Sequence, residues 1–195
     1  MQNMWDSRFA SEEYVYGTEP NNFFKEELLK HAPGKLLLPG EGEGRNAVFA
    51  AGMGWDVTAF DSSIAGKEKA ERLAAKNKVE ITYLLDSYES ANFEENSFDM
   101  IAFVYTHTNI REHQHKKMLN FLKPGGIIVL EGFSKNQLNY NTGGPGNVDM
   151  LYSIDEIKAD FKLLSEINVR EEEISIEEGQ FHSGKASVIK TLGKK

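Results

Sequence analysis

Three glycines at alternate positions, followed about twenty residues later by an aspartate, are the part of this 195-residue chain best suited to chemistry. The stretch Leu36-Leu37-Leu38-Pro39-Gly40-Glu41-Gly42-Glu43-Gly44-Arg45-Asn46-Ala47 is an apolar run that breaks into Gly40, Gly42 and Gly44 and leads into a helix-compatible segment, Asn46 to Met53. Glycine lets the backbone turn tightly and approach a ligand where a side chain would clash. Between a strand and a helix N-terminus, such a loop lies beneath a nucleotide-like cofactor. Asp61 closes the next apolar run, Trp55 to Phe60. A carboxylate there is placed to hold two ribose hydroxyls.

Two cofactor classes fit this geometry. The window from Gly42 to Ala47 satisfies the dinucleotide fingerprint G-x-G-x-x-A, whereas the register starting at Gly40 reads G-x-G-x-G, the usual loop of S-adenosylmethionine (SAM) sites. A pyrophosphate would sit on the helix N-terminus, where negative side chains repel it. Glu41 and Glu43 stand in the loop itself. That favours a cofactor bearing a sulfonium and an ammonium. Asn46, in the first turn of the helix, is a further candidate contact.

The elements that must position these residues alternate strand and helix. The sequence predicts a helix from Asn21 or Asn22 to about Lys30, a strand over Lys35–Leu38 and a helix over Asn46–Met53 stopped by Gly54. A second strand spans Val57–Phe60, and Ser62 is expected to cap a helix running to Lys76. Val79–Leu85 reads as a third strand, Phe98–Val104 as a fourth, Asn109–Leu122 as a helix and Gly126–Leu130 as a fifth strand. Such alternation implies a parallel sheet with right-handed crossovers. Ser153-Ile154-Asp155-Glu156 is a capping box for a helix to about Phe161. Leu163–Ile176 and Ala186–Thr191 then read as an antiparallel pair around Glu177-Glu178-Gly179. The long connection Phe133–Tyr152, with Thr142-Gly143-Gly144-Pro145-Gly146-Asn147 inside it, is expected to be an active-site loop.

Bulk composition narrows the partners. The formal charge of −8 argues against nucleic acid, and cysteine is absent, which excludes disulfides and thiolate chemistry. There is no apolar run long enough for a membrane span and no leader pattern, so a cytoplasmic protein is expected, as a single domain over residues 1–195 and as a monomer or homodimer. No metal site is expected: His113 and His115, two apart on a helix, do not share a face and read as solvated surface. The run Arg170-Glu171-Glu172-Glu173 reads as a charged strand edge. His107, just past the fourth strand, is the candidate catalytic base, with Tyr105 and Glu131 as possible pocket-lining groups. Its ordinary alternative is a hydrogen-bonded loop histidine, and the role of His182 stays open.

The order of elements, together with Glu95-Asn96-Ser97-Phe98-Asp99, Phe103-Val104-Tyr105-Thr106-His107 and Leu122-Lys123-Pro124-Gly125-Gly126, resembles the class I SAM-dependent methyltransferases. That resemblance implies an α/β, Rossmann-like fold whose seven-stranded, mostly parallel sheet has the order 3-2-1-4-5-7-6, with a C-terminal antiparallel hairpin. It also implies that Asp86 and Ser87 contact the adenine edge, and that Ser62 and Phe103 belong to the cofactor site. A narrower likeness rests on Tyr16-Gly17-Thr18-Glu19-Pro20-Asn21, on Thr142-Gly143-Gly144-Pro145 and on Glu178 to Ala186. It points to small bacterial methyltransferases of the tellurite-resistance group, with thiopurine methyltransferases further off. Both act on small, soft nucleophiles. In the resembling proteins the N-terminal segment, here residues 1–31 with Trp5, Phe9, Tyr14 and Tyr16, closes over the cofactor and substrate. Leu38 departs from the acidic residue many members carry before the first glycine, and Glu41 is expected to serve the cofactor's ammonium instead. The expectation is a SAM-dependent methyltransferase that alkylates a small molecule by in-line displacement and releases S-adenosylhomocysteine. A nicotinamide-dependent oxidoreductase is the first alternative, although no Tyr-x-x-x-Lys pair accompanies the glycine loop; a non-catalytic SAM-binding module is the second.

Overall fold

Leu36, Leu37 and Leu38 are all buried, and their alternation across the pleat explains why this strand is apolar without interruption. In the computed structural model, which describes residues 4–140, 142–179 and 182–195, Leu36 and Leu38 face one hydrophobic layer and Leu37 faces another. Seven strands form one sheet: β1 (Lys35–Pro39), β2 (Asp56–Asp61), β3 (Thr82–Leu85), β4 (Phe98–Val104), β5 (Leu122–Phe133), β6 (Glu166–Glu177) and β7 (Ser183–Lys194). Their order is β3-β2-β1-β4-β5-β7-β6, as expected. The first five are parallel, and β7 runs antiparallel between β5 and β6.

Among the described residues six α-helices cover the sheet: α1 (Met4–Phe9), α2 (Asn22–Leu28), α3 (Arg45–Gly52), α4 (Ile64–Asn77), α5 (Arg111–Phe121) and α6 (Ile154–Asp160). Phe23, Phe24 and Leu28 of α2, Ala47 and Ala50 of α3 and Ala70 of α4 pack on Leu36, Leu38, Val57, Ala59, Met100 and Ala102. Met118, Leu119 and Phe121 of α5, with Ile157 of α6 and Phe161 just after it, pack on Leu37, Ile101, Phe103, Ile128 and Leu130. The charged run 170–173 lies on β6, an outer strand of the sheet.

Several expected boundaries move. Asn21 caps α2 through its side chain, and the Ser153–Glu156 capping box is present. Ser63 caps α4, its hydroxyl accepting from the Gly66 N–H at 3.1 Å; Ser62 does not. Strand β3 starts at Thr82 because Val79 and Ile81 are used beside Leu73 in the packing of α4, after Lys78 turns the chain with φ +58°. Strand β5 runs to Phe133 because β7 pairs with it from Ile127 to Phe133. Helix α1 has no periodic signal and is not foreseen. His115 is buried and bonds Asp160 at 2.8 Å, so the solvated-surface expectation holds for His113 alone.

Gly44, with φ +86°, begins α3 where the loop touches α4: a Cβ there would lie 2.5 Å from the Ala70 Cβ and 2.8 Å from its Cα. We expect Gly44→Ala to destabilise the fold by about 2–4 kcal/mol, the sum of overpacking and left-handed strain. Gly52→Ala, which meets nothing within 4 Å, should be neutral or stabilising by up to ~1 kcal/mol. Urea unfolding midpoints measure both.

Candidate functional site

The glycine loop leaves β1 at the carboxyl edge of the sheet, where open α/β folds bind ligands. Gly40, Gly42 and Gly44 all have positive φ, and the Tyr83 hydroxyl props the loop from β3 through the Gly42 carbonyl. Glu41 folds back onto the start of α3. Its Oε1 accepts from the backbone N–H groups of Asn46 and Ala47, each at 2.8 Å, and Oε2 accepts from the Asn46 amide. The helix N-terminus, the natural seat of an anion, is therefore already occupied by a carboxylate. Burial pushes the Glu41 pKa up to about 7, against the pull of the Ala47 and Asn46 bonds.

Asp61, at the end of β2, accepts from the Gly42 N–H at 3.0 Å and the Ser63 N–H at 2.9 Å. Burial raises its pKa, and the same backbone bonds oppose the shift. Asp86 follows β3, accepts from the Ser87 N–H at 2.8 Å and donates its own N–H to the Asp61 carbonyl. These groups open onto a cavity of about 780 Å³ lined by Gly40, Glu41, Gly42, Asn46, Asp61, Ser62, Asp86 and Ser87. Eight of the ten residues expected at the cofactor site are thus brought together. The other two are corrected. Gly44 is spent on the α3–α4 contact, and Phe103 lies fully buried in the core against His115 and Phe161. The residues just beyond it, Val104, Tyr105 and Thr106, reach the cavity instead.

Glu43 does not act as the sequence suggests. It forms a buried ion pair with Lys69 of α4 at 2.7 Å and accepts from the Val15 N–H at 2.8 Å. Its charge is thereby cancelled, and its role is to fasten the N-terminal segment to the loop. Trp5, Phe9 and Tyr16 of that segment line the cavity, whereas Tyr14 turns away and donates to the Lys69 carbonyl at 2.9 Å.

The far end of the cavity is built from β4, β5 and the turn before β7. Tyr105 has φ +55°, a strained setting for a bulky residue. It is held by its hydroxyl donating to Glu131 Oε1 at 2.8 Å and its N–H donating to the Glu131 carbonyl at 2.8 Å. Asn21 donates to Glu131 at 2.7 Å and to Glu178 at 3.1 Å, and Arg45 pairs with Glu178 at 2.9 Å. Burial raises the pKa of Glu131. Glu178 titrates near 2: burial works against this, and His182 and Arg45 overcome it.

His107 lines the cavity, but both of its ring nitrogens are engaged. Nε2 accepts from the Phe133 N–H at 2.9 Å, so Nδ1 carries the hydrogen and donates to the Met150 carbonyl at 2.8 Å. Burial of the ring lowers its pKa to about 4. That geometry leaves no lone pair for a substrate proton; it is a clamp between β5 and the connection that follows. His182 differs. Its Nδ1 faces Glu178 Oε2 at 3.4 Å, and its other nitrogen has no hydrogen-bond partner among the described residues. Burial lowers its pKa, which keeps the ring neutral. Because β7 is antiparallel to β5, the start of β7 falls at the carboxyl edge of the sheet. Topology together with the Glu178/His182 spacing was the signal that could have found this residue. Gln180 and Phe181, part of the same motif, lie outside the described residues.

The family described as "Methyltransferase domain" matches residues 37–126, the segment that carries the glycine loop, Asp61, Asp86 and His107. No curated protein sequence matches. Among solved structures, the chain is similar to one reported for the conversion of a disulfide bond into a thioacetal group during echinomycin biosynthesis. The TM-score is 0.78 at 14% identity, over 98% of this chain and 90% of that one. It is also similar to TehB from Haemophilus influenzae, with a TM-score of 0.72 at 19% identity over 98% of this chain and 67% of that one. A third is an N-methyltransferase 2 of Haemonchus contortus, solved with phosphomonomethylethanolamine and S-adenosylhomocysteine. Its TM-score is 0.70 at 17% identity, over 97% of this chain and 57% of that one. At such identities these structures establish the shared fold. No helix among the described residues is long and apolar enough to cross a membrane. The family match over residues 37–126, on this sheet, supports a SAM-dependent methyltransferase, with S-adenosylmethionine as the cofactor.

Proposed function

We propose that this chain is an enzyme that methylates a small-molecule nucleophile by in-line displacement in a cavity flanked by two segments. The observation that carries the reading is the roof. Residues Met4, Trp5, Arg8, Phe9 and Tyr16 cover the cavity from the N-terminal side, and Thr142 to Asn147 and Met150 cover it from the connection after β5. Segments on both sides narrow the approach, which suits a metabolite-sized acceptor. Likeness to tellurite-resistance methyltransferases, and the disulfide chemistry reported for one structural neighbour, favour an acceptor atom of the sulfur group.

The residues fit the cofactor. Glu41 offers a carboxylate to an ammonium, Asp61 keeps lone pairs for ribose hydroxyls beyond its backbone bonds, and Asp86 and Ser87 would border the adenine end. The rings of Trp5, Phe9 and Tyr16 suit a sulfonium. SAM supplies a methyl group on a positively charged sulfur, which departs as a neutral thioether when an acceptor lone pair takes the methyl. What the chain must do is align the acceptor, exclude water and, for a protic acceptor, remove one proton. Alignment alone is worth up to roughly 7–11 kcal/mol. His182 is the group placed to take the proton at its free nitrogen, with Glu178 stabilising the resulting imidazolium.

Titration calorimetry tests the cofactor site: SAM should bind, NADH should not, and Asp61→Asn should weaken SAM by roughly tenfold or more. A cationic ligand needs Glu41 ionised, so affinity should fall as pH drops below about 7, by roughly tenfold between pH 8 and pH 6. Glu41→Gln should bind weakly and lose that Glu41-linked part of the pH profile. NADH binding in place of SAM would overturn the reading.

With a methylated acceptor in hand, His182→Ala should lower kcat by about 10²–10⁴ for an acceptor that is protonated at the working pH. It should do little for one already ionised, and SAH affinity should not change in either case. Equal losses for both acceptor types would show that His182 is not a base.

A further inference from the structure

A glycine has little steric preference of its own, so a glycine loop takes its shape from the groups that hold it. Gly42, at the centre of this loop, has φ +64° and is gripped at both ends. Its N–H donates to Asp61 Oδ2 at 3.0 Å, and its carbonyl accepts from the Tyr83 hydroxyl. These two groups belong to the peptide planes on either side of the residue, so holding both fixes its φ and ψ. Strand register brings the gripping side chains together. Tyr83 of β3 pairs with Ala59 of β2, two residues before Asp61, so both side chains leave the same face of the sheet.

Tyr83 is 5% exposed, sits in the hydrophobic layer with Leu38, Val57 and Ala59, and is not among the residues that line the cavity. The space around the carbonyl it holds is nearly closed. A Cβ at Gly66 of α4 would lie 2.9 Å from the Gly42 oxygen, and a Cβ at Gly42 itself would lie 3.2 Å from the Phe9 ring of the cover. Little room is left for a water to replace the hydroxyl. At the other end of the contact, Asp61 spends lone pairs on the N–H groups of Gly42 and, at 2.9 Å, of Ser63. The terminal torsion of an aspartate is broad, so these bonds decide where its remaining lone pairs point. Ser63 is secured as the cap of α4. Gly42 has the tyrosine.

We propose that Tyr83 is a positioning residue for the cofactor: it touches no ligand atom, and by holding Gly42 in one conformation it directs the free lone pairs of Asp61 at two ribose hydroxyls. This role rests on Asp61 binding the ribose, as read above. Were the hydroxyl only a buried polar group that has found an acceptor, its loss would loosen the loop whatever residue stood at position 61. As a positioning group, its loss is felt through Asp61.

The test is a double-mutant cycle on the full chain, read as S-adenosylhomocysteine (SAH) affinity by titration calorimetry, with urea unfolding to show that each variant folds. Tyr83→Phe keeps the ring and removes only the hydroxyl; it should weaken SAH by roughly tenfold. In an Asp61→Asn background the same change should cost about threefold or less, because the contact it acts through is already lost. 4-Aminophenylalanine introduced at position 83 restores a donor to the Gly42 carbonyl and should bind SAH within about threefold of the wild-type chain. Should Tyr83→Phe fail to fold, this second variant carries the test. Unchanged SAH affinity in Tyr83→Phe, an equal loss in both backgrounds, or a loss of about tenfold in a folded 4-aminophenylalanine chain would each overturn the role assigned to Tyr83. Wild-type SAH affinity in Asp61→Asn is seen before Tyr83 is changed; it would strike the ribose reading and this role with it, whereas the other three outcomes strike Tyr83 alone.

Discussion

The carboxylate of Glu41 on the first turn of α3 is the contact on which the site depends. A helix start leaves its first N–H groups without partners, and in nucleotide-binding folds a phosphate often supplies them. Here Gly44 caps the helix with no side chain, and the loop reaches back with its own glutamate to satisfy Asn46 and Ala47. Two consequences follow from this one placement. The loop is closed on itself without a ligand, so its three left-handed glycines are held in one shape. A pyrophosphate would meet a carboxylate where it needs bare N–H groups, which is why the G-x-G-x-x-A window does not make a dinucleotide site. The same carboxylate, raised toward neutrality by burial, gains most from a ligand that brings positive charge.

A second constraint runs from the N-terminal segment to the last hairpin. Asn21 ties Glu131 of β5 to Glu178 after β6, its N–H reaches Asn46 of α3, and Arg45 closes the circuit at Glu178. Glu43 and Lys69 hold residues 13–16 from below. A buried ion pair of this kind adds little net stability, because desolvating two charges offsets most of their attraction. Its effect is specificity: removing either partner would leave a buried charge alone, so the cover segment has one seat. At Gly179 even a methyl group would strike the Val15 carbonyl, at 2.2 Å. The hairpin turn and the cover segment are therefore fitted to each other, and together they close the acceptor end.

Most of the sheet was legible because its signals are local and periodic. Continuous apolar runs marked β1, β2, β4 and β5; the Ser153–Glu156 box marked α6; and the order of elements implied the parallel core with a final antiparallel pair. Lengths were less legible, because pairing sets them: β5 gains residues at its end where β7 lies alongside and at its start where Leu122 pairs with Phe98 of β4. Ser62 and Ser63 are chemically equivalent in sequence, and only the turn geometry decides which hydroxyl meets the Gly66 N–H. Within the site, residues whose backbone makes the loop were readable from spacing. Residues whose side chains converge from distant segments were not. Glu43 reads as a loop charge until Lys69, 26 positions away, is seen beside it. Phe103 reads as a pocket wall until the pleat turns it into the core and presents Tyr105 in its place.

The two histidines show what position alone leaves undecided. His107 satisfies every sequence criterion for a base: it follows β4, it stands at the carboxyl edge and it reaches the cavity. Its availability depends instead on where the backbone groups of Phe133 and Met150 lie, and those use both nitrogens. A base needs a lone pair directed at the substrate as well as a suitable address. His182 has the weaker address, in a turn near the end of the chain, yet its Nδ1 is oriented by a carboxylate whose own ionisation Arg45 secures. On the proposed reading the proton transfer belongs to the antiparallel hairpin appended to the parallel core, and cofactor binding to the core. An acceptor held there would meet rings from three parts of the chain: Tyr105 from the core, His182 from the hairpin and Tyr16 from the cover. Cofactor recognition can stay fixed in such a fold while the hairpin and cover set which nucleophile is methylated.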